Sequence, residues 1–275
     1  MLRYAIGFAC LAPFAWASFR AFRQYQKAAS AIKPVADTPA RDLCVMAALG
    51  IGQFGILIAL MNFGLQHVSA ARAALIFSLF PLLTLLLSVA VGRERMHLAL
   101  AAGVALSLGG VALALGPKLV SVFVGNGPSG YWGELAVLAS AGVGALCSVL
   151  YRPYLLRYPT VPVSAYAMLA SVLFLALVAW PEAWPQRLGA LTLPVWMVVA
   201  FIGLSSGVGY FLWLYALKHE PPTQVTVFLA LNPVTAALLG AGLLGEPLDG
   251  WTGGAIVLIG LGLWFATRPA PPRSG

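Results

Sequence analysis

Residues Gly55 to Ala114, GILIALMNFGLQHVSAARAALIFSLFPLLTLLLSVAVGRERMHLALAAGVALSLGGVALA, decide the fold because they occur twice. The second copy, Gly207 to Ala266, reads GVGYFLWLYALKHEPPTQVTVFLALNPVTAALLGAGLLGEPLDGWTGGAIVLIGLGLWFA. The shift is 152 positions without a gap, and 12 of the 60 aligned residues are identical. Several Leu and Ala matches would arise by chance in segments of this composition. The scarcer residues carry the repeat: His67 falls on His219, Pro81 on Pro233 and Glu94 on Glu246, with Gly55 on Gly207 and Gly110 on Gly262. Self-similarity at a fixed offset marks a chain assembled from two related units.

Composition sets the class. Apolar residues make up 61% of the chain and charged residues 9%, with a mean hydropathy of +0.91, whereas soluble domains carry about 25% charged residues. The chain reads as an integral membrane protein. Its net charge of +8 comes from single Lys and Arg residues scattered through short connections. They form no basic face, so nucleic acid is not indicated as a partner. Cys10, Cys44 and Cys147 fall in or beside apolar runs without metal-ligand spacing, and neither a disulfide framework nor a metal site is expected. A weak repeat at half the chain's length in so apolar a sequence is the pattern of transporters built from two related halves.

Nine apolar runs approach the ~20 residues that a helix needs to cross ~30 Å of hydrocarbon. They are 2–19, 44–65, 70–92, 98–116, 131–151, 162–181, 194–217, 222–244 and 250–267. Continuous runs favour helices over barrel strands, which would alternate in segments of about ten. The expected fold is an all-α polytopic helical bundle of about nine membrane-spanning helices. The polar stretch from Arg20 to Arg41, with Pro34 and Pro39, reads as the longest connection.

Arg3, an apolar core and Ala15-Trp16-Ala17 resemble a cleavable signal peptide. Arg20, Arg23 and Lys27 follow at once and hold that end of the helix in the cytoplasm, so the first run reads as a membrane helix. On alternate sides of the runs the Lys and Arg divide 12 to 4, which places the C-terminus and the 20–41 segment in the cytoplasm of a cytoplasmic (inner) membrane protein. Five helices separate the starts of the two copies. An odd displacement reverses direction, so the repeat is inverted.

Gln66-His67-Val68-Ser69-Ala70-Ala71, Phe80-Pro81-Leu82, Gly92-Arg93-Glu94 and Gly109-Gly110 resemble the EamA domain of the drug/metabolite transporter superfamily. Asn232-Pro233-Val234, Gly245-Glu246-Pro247, Gly260 and Gly262 repeat the pattern, and Gly133-Glu134-Leu135-Ala136 through Arg152 is similar to the helix that opens such a repeat. The resemblance covers nearly the whole chain and implies two inverted five-helix halves around a central cavity. It implies one repeat over 1–116 and a second over 131–267. The first copy then has four helices and lacks the first of its repeat, because subtracting the offset from Tyr131 leads 21 positions before Met1. A start at an internal Met is the favoured explanation; the alternative is a protein that works with nine helices.

Pro81 and Pro233 each sit near the middle of a run, where Pro removes a backbone donor and frees the carbonyl four residues back, at Phe77 and Leu229. We expect paired kinks beside the substrate. Their bland counterpart is ordinary packing. Ser206, Tyr210 and Trp213 share one helical face, as do Gln224, Phe228, Asn232 and Thr235, and Gln53 and Asn62 add polar groups from the run 44–65. Polar groups at mid-membrane depth are costly in lipid, so these are candidates for an uncharged, partly aromatic cavity wall; bonding between helices is the competing role.

Glu94 and Glu246 read as residues stabilised at the start of the helix that follows each, and His67 and His219 lie at helix ends where the dipole favours a base. Glu134 is the candidate for ion coupling. Gly103 with Gly110, and Gly253 with Gly260, put small residues on one face of the last helix of each half. Gly203-Leu204-Ser205-Ser206-Gly207 fits G-x-S-x-G, but that elbow needs a strand-to-helix turn with His and acid partners. Within an apolar helix, close packing explains it better. No nucleotide or redox fingerprint occurs, and no cofactor is indicated. The chain is therefore expected to be a secondary transporter moving a small metabolite by alternating access of two inverted halves, and the family resemblance implies export. A membrane-embedded enzyme on a lipid or peptide, and a membrane scaffold, are the competing readings.

Overall fold

The structure is a computed structural model that describes residues 2–29, 40–68, 70–115, 131–178, 192–232, 234–235, 238, 242 and 250–268. Among them every regular element is helical. The helices are α1 Leu2–Ala29, α2 Ala40–His67, α3 Ala70–Phe77, α4 Phe80–Ala90, α5 Leu98–Leu115, α6 Trp132–Arg157, α7 Thr160–Val178, α8 Leu193–His219, α9 Pro222–Val227 and α10 Gly250–Ala266. By length and composition α2, α6, α7 and α8 suffice to cross a membrane unaided. α4 and stretches of α1, α5 and α10 are shorter apolar helices. The protein is an all-helical membrane bundle.

Helices overrun the apolar runs where polar helix formers continue them. α1 extends to Ala29, so the first ten residues expected in the 20–41 connection are helical. The Arg20 guanidinium lies 3.4 Å from the centre of the Trp16 ring, one turn back. α6 likewise runs to Arg157, past Pro153.

The chain divides into two compact units, Met1–Ile56 with Leu150–His219, and Leu57–Val149 with Glu220–Gly275. The division falls inside α2, after Ile56, and inside α6, after Val149.

In the first unit α1 packs on α7 and α8, and the opening part of α2 packs on α7. Glycines let backbones touch. A Cβ on Gly207 would stand 2.9 Å from the Gly7 Cα, and one on Gly50 would stand 2.7 Å from the Ala167 Cα. The G-x-S-x-G match is thus part of α8, and Gly207 within it is a packing residue. At one end of the unit Asp42, in the first turn of α2, accepts from Arg157 Nη1 at 2.8 Å and Tyr158 Oη at 2.7 Å. Burial first, then the Asp42 carboxylate, push the Tyr158 hydroxyl above its ordinary pKa and keep it a donor.

In the second unit α5 and α10 run antiparallel in close contact. A Cβ on Gly103 would lie 2.7 Å from the Gly262 carbonyl oxygen, and one on Gly110 would lie 3.2 Å from that of Ala255. These two contacts interchange under the 152-residue shift, since Gly103 maps to Ala255 and Gly110 to Gly262. Ser107 against Gly262 and Ile259 against Gly110 interchange in the same way. The pair therefore has local two-fold symmetry. Gly253 and Gly260, expected on the packing face, have no atom of the described residues near a Cβ position. The offset explains the difference: the equivalents of Gly103 and Gly110 are Ala255 and Gly262, which lie two residues further along α10.

Candidate functional site

The middle of α2 leaves the α-helical register. Ile51–Ile56 forms a π-helical turn, and such turns are frequent at functional sites. Gly50 on its rim packs against Ala167, and Gly55 within it against Phe174, so α7 supports the turn from one side. Ser171 of α7 donates its hydroxyl to the Gly50 carbonyl at 2.6 Å and also approaches the Ala167 carbonyl at 2.9 Å. A carbonyl at the change of register thereby has a side-chain donor.

Two predicted residues gain definite surroundings in this unit. Gln53, in the π turn, is 7% exposed, and its amide oxygen is buried without a donor. Tyr210 of α8 is buried, its ring 4.1 Å from that of Phe54 and its hydroxyl 3.0 Å from that of Tyr151 on α6. Ser206 is half-buried and donates back to Ile202 of its own helix at 2.7 Å; Trp213 is half-buried. Phe54 and Tyr151 were not singled out in the sequence. Tyr151 lies in the turn before Pro153, and the signal available was a Tyr inside a long apolar run.

The other candidates lie in the second unit. Asn62, Phe228, Asn232 and Thr235 are exposed and Gln224 is half-buried, with Thr235 donating to Leu231 at 2.9 Å. Around Pro81 the chain breaks outright. α3 ends at Phe77, α4 begins at Phe80, and Pro81 occupies the first turn of α4, where its missing donor costs nothing. In the other copy the equivalent of positions 76–78 is Phe228–Ala230, a 3₁₀ turn after α9. Pro233 lies outside the described residues, as does Glu246.

Gly92-Arg93-Glu94 forms the turn that ends α4. Gly92 has φ 71°, and the amides of Gly92 and Arg93 bond to the carbonyls of Val89 and Ser88, closing the helix. Arg93 then reaches the Val149 carbonyl. Glu94 precedes α5 but makes its hydrogen bond to another helix. Its Oε1 accepts from the Thr223 amide of α9 at 3.1 Å, while the start of α5 is capped by His97 Nδ1, which accepts from Leu100. His67 and His219 occupy matching places: each Nδ1 lies 2.8 Å from the carbonyl four residues back, Phe63 and Tyr215, with the ring against that residue's ring. Glu134 is half-buried in the first turn of α6.

Residues 1–116 and 131–268 match the EamA-like transporter family. The chain belongs to that family. It is 31% identical to a probable terminal-alkyne amino-acid exporter of Streptantibioticus cattleyicolor over 81% of this chain and 73% of the relative. It is 28% identical to an uncharacterized transporter of Archaeoglobus fulgidus over 83% and 79%, and 28% identical to an aromatic amino acid exporter of Ancylobacter novellus over 64% and 59%. A solved crystal structure superposes with a TM-score of 0.72 at 25% identity, covering 97% of this chain and 85% of that one. Transport is what the names of these relatives share. The residues brought together at the π turn are aromatic rings and an amide.

Proposed function

We propose that this protein exports a small amphipathic metabolite, of the amino-acid class, across the cytoplasmic membrane by alternating access of two inverted halves, with its C-terminus in the cytoplasm. The observation that carries the reading is the grouping of Tyr210 with Phe54 and Tyr151, next to Gln53, at the π turn midway along a membrane helix. Aromatic faces accommodate an apolar side chain and an amide meets polar groups, without a fixed charge that would demand an ionic substrate. Two relatives named as amino-acid exporters support the substrate class. The matched contacts of α5 and α10 support an origin in two inverted copies. An enzyme is not the reading favoured, since the hydrolase-like match in α8 is used for packing against Gly7.

The test is flux in proteoliposomes of the purified protein, with aromatic, aliphatic and alkyne-bearing amino acids on one side and protein-free liposomes as reference. Saturable, protein-dependent movement of one of these groups is expected. Failure across all three, beside retained folding, would overturn the substrate class.

A further inference from the structure

In the second unit, three buried oxygen atoms without hydrogen-bond partners belong to the end of α4, the turn after it and the start of α9. They are Ser88 Oγ, Glu94 Oε2 and Thr223 Oγ1. Ser88 and Thr223 are both 0% exposed. The backbone holds them at the same end of one helix pair. The Glu94 amide bonds to the Ser88 carbonyl at 3.2 Å, and Glu94 Oε1 accepts from the Thr223 amide at 3.1 Å. Leu85 and Val227 share one apolar cluster, so α4 and α9 lie side by side, with Ser88 one turn on from Leu85 and Thr223 one turn back from Val227.

Among the described residues Glu94 makes no ion pair. Arg93, its neighbour, is directed to the Val149 carbonyl, and Arg95 is exposed. Glu94 is half-buried with its Oε2 on the covered side, and a covered carboxylate oxygen without a partner is an exception that calls for an occupant. A trapped water could satisfy the hydroxyls but would bring no positive charge to the covered carboxylate oxygen. One carboxylate and two hydroxyls are hard oxygen donors with a single negative charge, which suits a small hard monovalent ion. We infer that Ser88, Glu94 and Thr223 form a binding site for a small monovalent cation, Na+, which fastens α9 to the end of α4.

The site is tested by binding, so its fate is separate from that of the substrate assignment. The purified full chain in lipid nanodiscs is unfolded thermally in NaCl and in choline chloride at equal ionic strength, with Na+ itself as the probe. Wild type shows a Tm that rises saturably with Na+. Ser88→Ala and Thr223→Val each move the Na+ midpoint up by about tenfold, the loss that ~1.4 kcal/mol of binding energy gives. Glu94→Gln abolishes the response; should that variant not fold, the two hydroxyl variants decide. Equal Tm in the two salts, as a resident water alone would give, overturns the proposal, and so does a wild-type midpoint in both hydroxyl variants.

Discussion

Arg93 donates to the carbonyl of Val149, the acceptor that Pro153, four residues further along α6, leaves without a backbone donor. Val149 is fully buried, so its carbonyl would otherwise go unpaired in the bundle. Arg93→Ala should cost about 1–3 kcal/mol, the penalty for baring a buried polar group. Pro153→Ala returns an N–H to that carbonyl. In the Pro153→Ala background, Arg93→Ala should therefore cost markedly less, a coupling that thermal unfolding of the four variants would measure. Strictly additive costs would mean that Arg93 acts elsewhere.

The contact of Gly103 with Gly262 gives a second prediction. A Cβ on Gly262 would come 2.7 Å from the Ser107 amide nitrogen and 2.8 Å from the Gly103 carbonyl oxygen, both backbone atoms that cannot step aside. Gly262→Leu should destabilise by about 1–3 kcal/mol or more through overpacking. Gly253→Ala and Gly260→Ala meet no atom of the described residues within 4 Å, and removing a helical Gly gains up to ~1 kcal/mol. Those two should be neutral or stabilising in the same unfolding assay, and a loss equal to that of Gly262→Leu would refute the assigned face.

The hydroxyl pair of Tyr151 and Tyr210 bears on substrate binding. If the aromatic group at the π turn holds substrate, Tyr210→Phe should weaken transport of amino acids while keeping the ring against Phe54. Trp213→Ala and Asn232→Ala should lower flux with expression near normal. Normal flux in all three variants would remove these residues from those that contact substrate.

How much of this was legible in the sequence differs residue by residue. The apolar runs reported helices, because a hydrocarbon-spanning segment must satisfy its own backbone. They did not report helix ends: α1 runs on to Ala29 because Arg, Gln, Lys and Ala form helix well outside hydrocarbon. Gly103 and Gly110 were readable as packing residues, yet their partners required the offset to be applied to α10. The π turn at Gln53 was invisible, since a change of hydrogen-bond register has no compositional mark. Glu94 was read at the start of the helix that follows it, while its hydrogen-bond partner, Thr223, lies 129 residues away. Asp42 and Arg157, separated by 115 residues, escaped for the same reason. Local rules see capping within a segment, and only the fold reveals capping between segments.

The break at Pro81 yields the last prediction. α3 and α4 are two helices, joined through Ser78 and Leu79, with Pro81 in the first turn of α4. Pro81→Ala restores an N–H that can reach the Phe77 carbonyl, which favours one continuous helix over the jointed pair. Phe80 and Pro81 are buried, so the change removes volume as well, and a smaller core residue alone would lower stability without altering the cycle. The two effects separate kinetically. If the joint moves during transport, turnover in proteoliposomes should fall several-fold while half-saturation stays near the wild-type value, because the substrate-holding groups are untouched. Pro81→Gly, which removes the ring but disfavours a continuous helix by about 1 kcal/mol relative to Ala, should retain more turnover than Pro81→Ala. Equal turnover in the two variants would show that the break is a packing feature and that alternating access does not pass through it.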